Sequence, residues 1–178
     1  KPDQRLLDCG CGPGTLTLGF AEKLKQGHVI GVDLEPTQFA EAKEYAEQQG
    51  IENIEFQQAS IYQLPFPDNS FDVVFGSAVL GSLNDAQSAV IEVVRVLKPG
   101  GIIGLKEFDH AGDMIYPMNP ILERSHELYL KIREHNGHEN AGGRRLKEFM
   151  HNAGCKDILA TAACEQRSTE QELLDYVD

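Results

Sequence analysis

The sequence predicts an α/β fold: a Rossmann-like, doubly wound and mainly parallel sheet with helices on both faces. Three observations lead to this prediction. Short apolar segments alternate with helical patterns, a glycine-rich loop follows the first apolar segment, and the segment FDVVFGS is apolar at nearly every position. Alternating strands and helices require crossover connections, which give parallel sheets. A continuously apolar strand is typical of one that is buried on both faces.

The composition is that of a globular protein with a single domain. The chain has 178 residues, of which 41% are hydrophobic, and its net charge is −12. An acidic chain without a basic face is poorly suited to binding along a nucleic-acid backbone, so we expect no nucleic-acid partner. No apolar run approaches the roughly 18 residues of a membrane span, and no signal-peptide pattern opens the chain. We therefore expect a cytoplasmic protein without a membrane span.

Each predicted element has a local cause. RLLDC and HVIGVDL are short apolar runs, and the pattern between them is helical. Pro36 suits a first helical turn, and Gly50 suits the end of the same helix. KPGG ends a helix whose apolar residues recur every three or four positions. The elements so predicted are strand 5–9, helix 16–26, strand 28–34, helix 37–49, strand 54–60, strand 71–77, helix 85–97 and strand 101–108.

The pattern changes after residue 110. An amphipathic helix is predicted over 117–135, and it interrupts the alternation, so we interpret 111–142 as an insertion near the strand tips. A helix over 144–153 is closed by Gly154. A sixth strand is predicted over 156–164, and STEQELLDYV carries a capping-box signal for a last helix.

The stretch LLDCGCGPGTLT (residues 6–17) carries the first functional signal. Gly10, Gly12 and Gly14 follow a strand, as in dinucleotide-binding loops, but the third glycine comes one place early. Asp8 ends the strand, and we expect it to point into the ligand crevice, where a carboxylate would repel a pyrophosphate. A ligand with an ammonium and a sulfonium, such as S-adenosylmethionine, would be attracted. The structural alternative for Asp8 is a turn-forming aspartate.

Asp33 is the second signal. It ends the second strand, where acidic residues bind ribose hydroxyls in folds of this kind. The structural alternative is a helix-capping aspartate ahead of Pro36. Cys9 and Cys11 lie within the glycine loop. We interpret them as small residues that fit beside tight backbone rather than as metal ligands, and no metal site is predicted.

Four motifs in order, LLDCGCGPGTLT, VIGVDLEP, LPFPDNSFDVVFGSAVL and RVLKPGG, cover residues 5–108. With them the chain resembles the class I S-adenosylmethionine-dependent methyltransferases, of the small-molecule type related to the ubiquinone/menaquinone methyltransferases. The resemblance implies that S-adenosylmethionine is the cofactor. It implies contacts from Asp8, Cys9, Gly10 and Gly12 to the methionine part, Asp33 to the ribose, Leu34 and Gln38 to ribose and adenine, Ser60 and Ile61 to adenine, and Ser77 near the reactive methyl.

One position departs from the family pattern. Many relatives carry an aspartate where this chain has Ser60, so the contact with the adenine amino group should be weaker here, or shared with Gln58 or Tyr62. AGGRRLKEFMHNAGCKDI (141–158) resembles the helix and strand that follow in many of these enzymes.

The chemistry requires little beyond positioning, because the sulfonium is already an activated leaving group. The Asn/Asp-Pro-Pro-aromatic motif is absent, which argues against a nucleic-acid base or an amide nitrogen as acceptor. Glu107, Asp109 and His110 lie after the fifth strand, and His110 is the best-placed base. The catalytic residue stays unassigned at this point.

The chain is expected to be one methyltransferase domain over 1–178 that transfers a methyl group to a small-molecule acceptor. The insertion over 111–142 would roof the acceptor pocket. A segment before the first strand and a last strand are expected to be missing, and the resulting exposed edge could form a homodimer. Two alternatives stay open, a nicotinamide-dependent dehydrogenase and a non-catalytic S-adenosylmethionine-binding domain. The acceptor and the methylated atom are not specified.

Overall fold

The structure is a computed structural model, and it describes residue 1 and residues 3–164. The predicted last helix in STEQELLDYV lies outside the described residues. The described residues form five strands and five α-helices, with short 3₁₀ turns between some of them. A helix separates each pair of successive strands except the third and fourth, and the last two helices follow the fifth strand. The strands are β1 (Arg5–Cys9), β2 (His28–Asp33), β3 (Ile54–Gln58), β4 (Phe71–Ser77) and β5 (Leu97–Lys106), and the helices are α1 (Thr15–Lys23), α2 (Phe39–Gln49), α3 (Ala86–Val96), α4 (Pro120–His135) and α5 (Gly142–Asn152).

The strands form one sheet in the order β3-β2-β1-β4-β5, and every neighbouring pair is parallel. The chain leaves β1 toward β2 and β3, and then returns to the other side of β1 for β4 and β5. The order therefore reverses between β1 and β4. In doubly wound sheets, ligands bind at such a switch point, beyond the carboxyl ends of the strands. The predicted α/β fold is confirmed.

Helices cover both faces of the sheet because neighbouring residues of a strand point to opposite sides. Leu6 lies in an apolar cluster with Ala21 of α1, whereas Leu7 belongs to the large cluster that contains Val90 and Val93 of α3. Helix α3 begins where the Asp85 carboxylate accepts the backbone N–H of Ser88 at 3.0 Å. Asp85 thus provides the N-cap of α3, the helix that buries Ala86, Ala89, Val90, Val93 and Val96.

The structure differs from the predicted elements at two places: at the start of the strand around KPGG, and after α5, where a strand was predicted. Strand β5 begins at Leu97 rather than at 101, because Phe71 pairs with Leu97 and the register then shifts, so that Val73 pairs with Ile102. The predicted sixth strand over 156–164 is wrong. A strand is stable only beside a pairing partner, and this segment joins no sheet: its Leu159 is 87% exposed.

Two adjacent residues of α3 should contribute very differently to the stability of the protein. Val90 is fully buried, whereas Ile91 is 51% exposed. We expect Val90→Ala to lower the free energy of unfolding by about 2 kcal/mol, because it leaves a cavity, and Ile91→Ala to lower it by less than about 1 kcal/mol. Urea unfolding measures both variants. An equal loss in the two would contradict the packing described here, since Ile91→Ala deletes the larger group.

Candidate functional site

The glycine loop between β1 and α1 is held against the end of β2. The backbone N–H groups of Gly10 and Cys11 both donate to the Val32 carbonyl, at 2.8 and 3.0 Å. Gly14 has a φ of +81°, and a Cβ there would lie 2.6 Å from the Phe56 ring. Left-handed backbone and close packing both favour glycine at this position. The loop therefore presents backbone, rather than side chains, at the switch point of the sheet.

Asp33 ties the same loop to the end of β2. One carboxylate oxygen accepts the N–H of Gly12 at 2.9 Å, and the other accepts the N–H of Glu35 at 3.1 Å. The sequence pointed to Asp33 as a ligand for ribose hydroxyls and did not reveal this second role. A carboxylate offers about four lone-pair sites, so two backbone contacts leave capacity for hydroxyl donors.

Asp8 corrects one part of the sequence interpretation. Its side chain is 2% exposed, and Thr17 of α1 donates its hydroxyl to the carboxylate at 2.7 Å. The expectation that Asp8 points into the open crevice is therefore wrong, because α1 covers it. Burial raises the pKa of Asp8 to about 6, the Thr17 hydrogen bond lowers it and the charge of Asp33 raises it. The carboxyl group therefore lies beneath the loop and is separated from solvent by α1.

Thr17 was missed by the sequence reasoning, although a signal was present. Thr17 and Ala21 are the buried residues of α1, four positions apart on one helix face. A hydroxyl on the inner face of a helix needs a partner, and the nearest acidic residue in the preceding strand is Asp8.

The cysteines of the loop are buried. The Cys9 side chain is 1% exposed and lies in the main core, so a ligand could reach only its backbone. Burial raises the pKa of Cys9 well above its usual range and that of Cys11 to about 12. Both thiols are therefore held in the neutral form, as suits small core residues. A cysteine that binds a metal does so as the thiolate.

Leu34 and Gln38 are brought beside the loop. Leu34 is 62% exposed, and its carbonyl accepts the side-chain amide of Gln58 at 2.9 Å. The Gln38 Oε1 atom lies 3.4 Å from where a Cβ on Gly12 would be. These residues thus form the side of the crevice next to β2.

The side chains of Ser60 and Ile61 are less available to a ligand than those of Leu34 and Gln38. The Ser60 hydroxyl accepts the N–H of Tyr62 at 3.3 Å within a local turn. Ile61 is 7% exposed and packs in the main core, so only its backbone can face a ligand. The Tyr62 hydroxyl accepts the N–H of Asp85 at 3.1 Å, which fixes this turn to the start of α3.

The segment after β4 closes the loop from the other side. Ser77 ends β4, and the N–H of Ala78 donates to the Lys106 carbonyl at 3.0 Å. Val79 packs on Gly10 so closely that a Cβ there would lie 2.5 Å from its Cγ2 atom. Ser77 therefore lies between the glycine loop and the end of β5.

The three candidate bases after β5 differ in their partners. The Glu107 carboxylate accepts the N–H groups of Gly81 and Phe108, at 2.8 and 2.9 Å. Asp109 forms a two-pronged ion pair with Arg144, at 2.6 and 2.9 Å, and this partner lowers its pKa. The His110 ring has longer polar contacts: the Tyr129 hydroxyl lies 3.4 Å and the Asp113 carboxylate 3.6 Å from Nδ1, and the rings of Phe108 and Tyr129 pack against it.

Helix α4 and the segment before it expose most of their apolar residues. None of the described residues of α4 is fully buried. Among the residues predicted to line an acceptor pocket, Tyr129 contacts His110, with ring centroids 5.4 Å apart. The other four are Met114, Tyr116, Met118 and Leu122, which are 82%, 97%, 49% and 40% exposed.

A family model described as a methyltransferase domain matches residues 1–154. The chain belongs to the S-adenosylmethionine-dependent methyltransferases. An uncharacterized methyltransferase of Schizosaccharomyces pombe is 41% identical over 152 residues, which cover 80% of this chain and 53% of that protein. The ubiquinone/menaquinone biosynthesis C-methyltransferase UbiE of Vibrio cholerae is 36% identical over 131 residues, 72% of this chain and 47% of UbiE.

The fold is similar to that of YcgJ from Bacillus subtilis, with a TM-score of 0.62 at 30% identity over 85% of this chain and 60% of YcgJ. This methyltransferase chain spans about half the length of the curated relatives it matches. The family assignment made from the motifs is confirmed.

The buried carboxyl of the methyltransferase domain predicts a pH-dependent stability. The folded state holds the Asp8 proton more tightly than the unfolded chain does. The protonated Asp8 therefore adds fully to the free energy of unfolding below about pH 4, and this stabilisation is lost as the pH rises through about 6. The loss is about 3 kcal/mol, at about 1.36 kcal/mol per pKa unit. We expect Asp8→Asn, measured by urea unfolding, to gain stability relative to the wild type by about this amount over that range.

Thr17→Val is the matched control for Asp8→Asn. It removes the hydroxyl that stabilises the ionised carboxylate and keeps the titrating group, so the pH dependence should steepen rather than vanish. A difference between Asp8→Asn and the wild type that stays constant with pH would show that Asp8 does not titrate as described.

Proposed function

We propose that this chain binds S-adenosylmethionine at the glycine loop and transfers its methyl group to a small-molecule acceptor. The observation that carries the proposal is the loop itself, whose backbone at Gly12 is hydrogen-bonded to the Asp33 carboxylate at the switch point of the sheet. Asp8 lies buried beneath the same loop, so two carboxyl groups contribute to the electric field at this end of the sheet. Such a field favours a cationic methionine moiety over the two negative charges of a pyrophosphate.

The proposed contacts follow the geometry. Gly10, Gly12 and Cys9 would contact the methionine part through backbone, with Asp8 acting by charge. Asp33 would accept from the ribose hydroxyls through its remaining lone pairs. The adenine side and the methyl side are proposed for Leu34, Gln38, Ser60, Ile61 and Ser77.

The cofactor supplies a methyl group on a positively charged sulfur, which is an activated leaving group. The protein's part is to hold the acceptor in line with that methyl group and to exclude water. The acceptor atom forms the new bond to carbon as the carbon–sulfur bond breaks, and the electron pair of that bond stays on sulfur.

Several properties support a small-molecule acceptor. A relative named for ubiquinone and menaquinone biosynthesis shares 36% identity with this chain. The net charge of −12 opposes binding along a nucleic acid. We propose that the apolar segment over 111–142 roofs the acceptor pocket and that the domain works in the cytoplasm, with the β5 edge available for a homodimer. Across residues 1 and 3–164, the helices are too short or too polar to pass through a bilayer.

The cofactor is tested by isothermal titration with S-adenosylmethionine, S-adenosylhomocysteine and NAD⁺. We expect both adenosyl ligands to bind and NAD⁺ not to bind. Asp33→Asn should weaken the adenosyl ligands about tenfold or more, roughly 1.4 kcal/mol, because the variant loses the charge and one acceptor toward the ribose. The asparagine keeps an oxygen for the N–H of Gly12, so the loop is disturbed less than by alanine.

Glu35→Gln is the matched control, since it removes one negative charge two residues away. The Glu35 carboxylate caps the following turn through Thr37 and is exposed. Its removal should leave the affinity within about twofold, because exposed charges are screened by solvent. Binding of NAD⁺ in place of the adenosyl ligands would favour the dehydrogenase alternative.

Turnover is tested with methyl-labelled S-adenosylmethionine and a cell extract separated by size. Labelled product should form with the small-molecule fraction and not with protein or nucleic acid, because the proposed acceptor is a small molecule. Cofactor binding without transfer to any fraction would favour the non-catalytic alternative.

A further inference from the structure

The turn that follows β5 is fixed on both sides by polar contacts. Asp109 is held by the two-pronged ion pair with Arg144 of α5. The N–H of Ala111 donates to the carbonyl of Asn140 at 3.0 Å, and Asn140 is 8% exposed. His110 lies between these two anchored residues. Its backbone is therefore placed by tertiary contacts, unlike that of a solvated loop histidine.

Aromatic rings hold the side chain of His110. Its ring stacks on Phe108 at 5.6 Å with an angle of 25°, and meets the Tyr129 ring edge-on at 5.4 Å. The Tyr129 hydroxyl lies 3.4 Å from Nδ1 and 3.5 Å from Nε2. The His110 side chain is only 14% exposed, so the imidazole is ordered and still reaches the surface.

Charged groups neighbour His110 on its own turn, on α4 and on α5. The Asp113 carboxylate lies 3.6 Å from Nδ1, which is too far for a strong hydrogen bond. On α4, the Arg133 guanidinium lies over the Tyr129 ring, 5.8 Å from its centroid, and His126 stacks on the same ring. On α5, Arg144 is neutralised by Asp109.

His110 lies at the same edge of the sheet as the glycine loop. It follows Lys106, the last residue of β5, by four positions, and β4 alone separates β5 from β1. Two strand spacings are ~10 Å, about the length of one small molecule. The segment from Ala78 to Gly81 bridges the gap, since it contacts Gly10 on one side and Lys106 and Glu107 on the other.

We propose that His110 is the residue that takes the proton from the acceptor during methyl transfer, and that the acceptor is a hydroxyl that is still protonated at neutral pH. The proposal rests on the proposed function above. Glu107 and Asp109 are engaged by strong partners, and His110 is the remaining base of the three. The half-exposed rings of Phe108 and Tyr129 offer a surface for an aromatic acceptor beside the imidazole.

The step balances without a further reactant. The acceptor oxygen forms a bond to the methyl carbon while the carbon–sulfur bond breaks and its electron pair stays on sulfur. The oxygen–hydrogen bond breaks, and the proton passes to a nitrogen of His110. The imidazolium that results lies beside Asp113 and returns its proton to solvent after release of the products.

Phenol and thiophenol test the proposal as a matched pair of probes. They share one ring, but phenol keeps its proton at neutral pH whereas thiophenol is largely ionised and needs no base. Release of S-adenosylhomocysteine is measured with the wild type, His110→Asn and His151→Asn, the last an exposed histidine in the last turn of α5. We expect His110→Asn to lower the rate with phenol ~100-fold or more and the rate with thiophenol less than ~3-fold.

Thiophenol also serves as the folding control, and His151→Asn should match the wild type with both probes. Equal losses with both probes would overturn the proposal, because His110 would then only support the structure. An unchanged rate with phenol would overturn it as well. Transfer to neither probe by a wild type that binds S-adenosylmethionine would overturn this proposal alone, whereas failure to bind the cofactor would also overturn the proposed function.

Discussion

The hydrogen bond from the Gly12 N–H to the Asp33 carboxylate is the contact on which the site depends. Together with the two bonds to the Val32 carbonyl, it fixes a loop whose three glycines would otherwise allow many backbone conformations. The loop in turn receives Val79 from the segment after β4. One turn thus joins the ends of three strands, and the crevice has its shape before any ligand arrives. Binding should then cost little ordering of the backbone.

The segment over 111–142, which is proposed to roof the acceptor pocket, is held by hydrogen bonds rather than by apolar packing. Arg133 donates to Asn140 and to the Gly81 carbonyl, both at 3.0 Å, and Asn140 donates in turn to the Leu130 carbonyl. These bonds hold the carboxyl-terminal end of α4, while its first turns remain exposed. The proposed cofactor side is therefore packed by the core, whereas the proposed acceptor side is positioned by a few directional contacts.

Much of the fold could be read from the sequence, because the signals for it are local. Apolar periodicity, Pro36, Gly50 and the glycines of the loop each act within a few residues, and they placed β1 to β4 and the first three helices to within a few positions. The start of β5 and the supposed strand over 156–164 were wrong, since strand pairing is decided by a partner far away in the chain. The predicted cofactor contacts at Asp33, Leu34 and Gln38 lie together in the structure; their binding role stays a prediction.

The sequence by itself determined the order of elements, the glycine loop and the family, because each depends on residues that are close along the chain. Only the tertiary structure decided where the carboxylates point and which base is available. Asp8 is buried under Thr17 because α1 folds back over β1, and Asp109 is neutralised by an arginine 35 residues away. The His110 ring is held in place because α4 brings Tyr129 against it. The environment of a side chain is set by the elements that pack around it, and local sequence does not encode that packing.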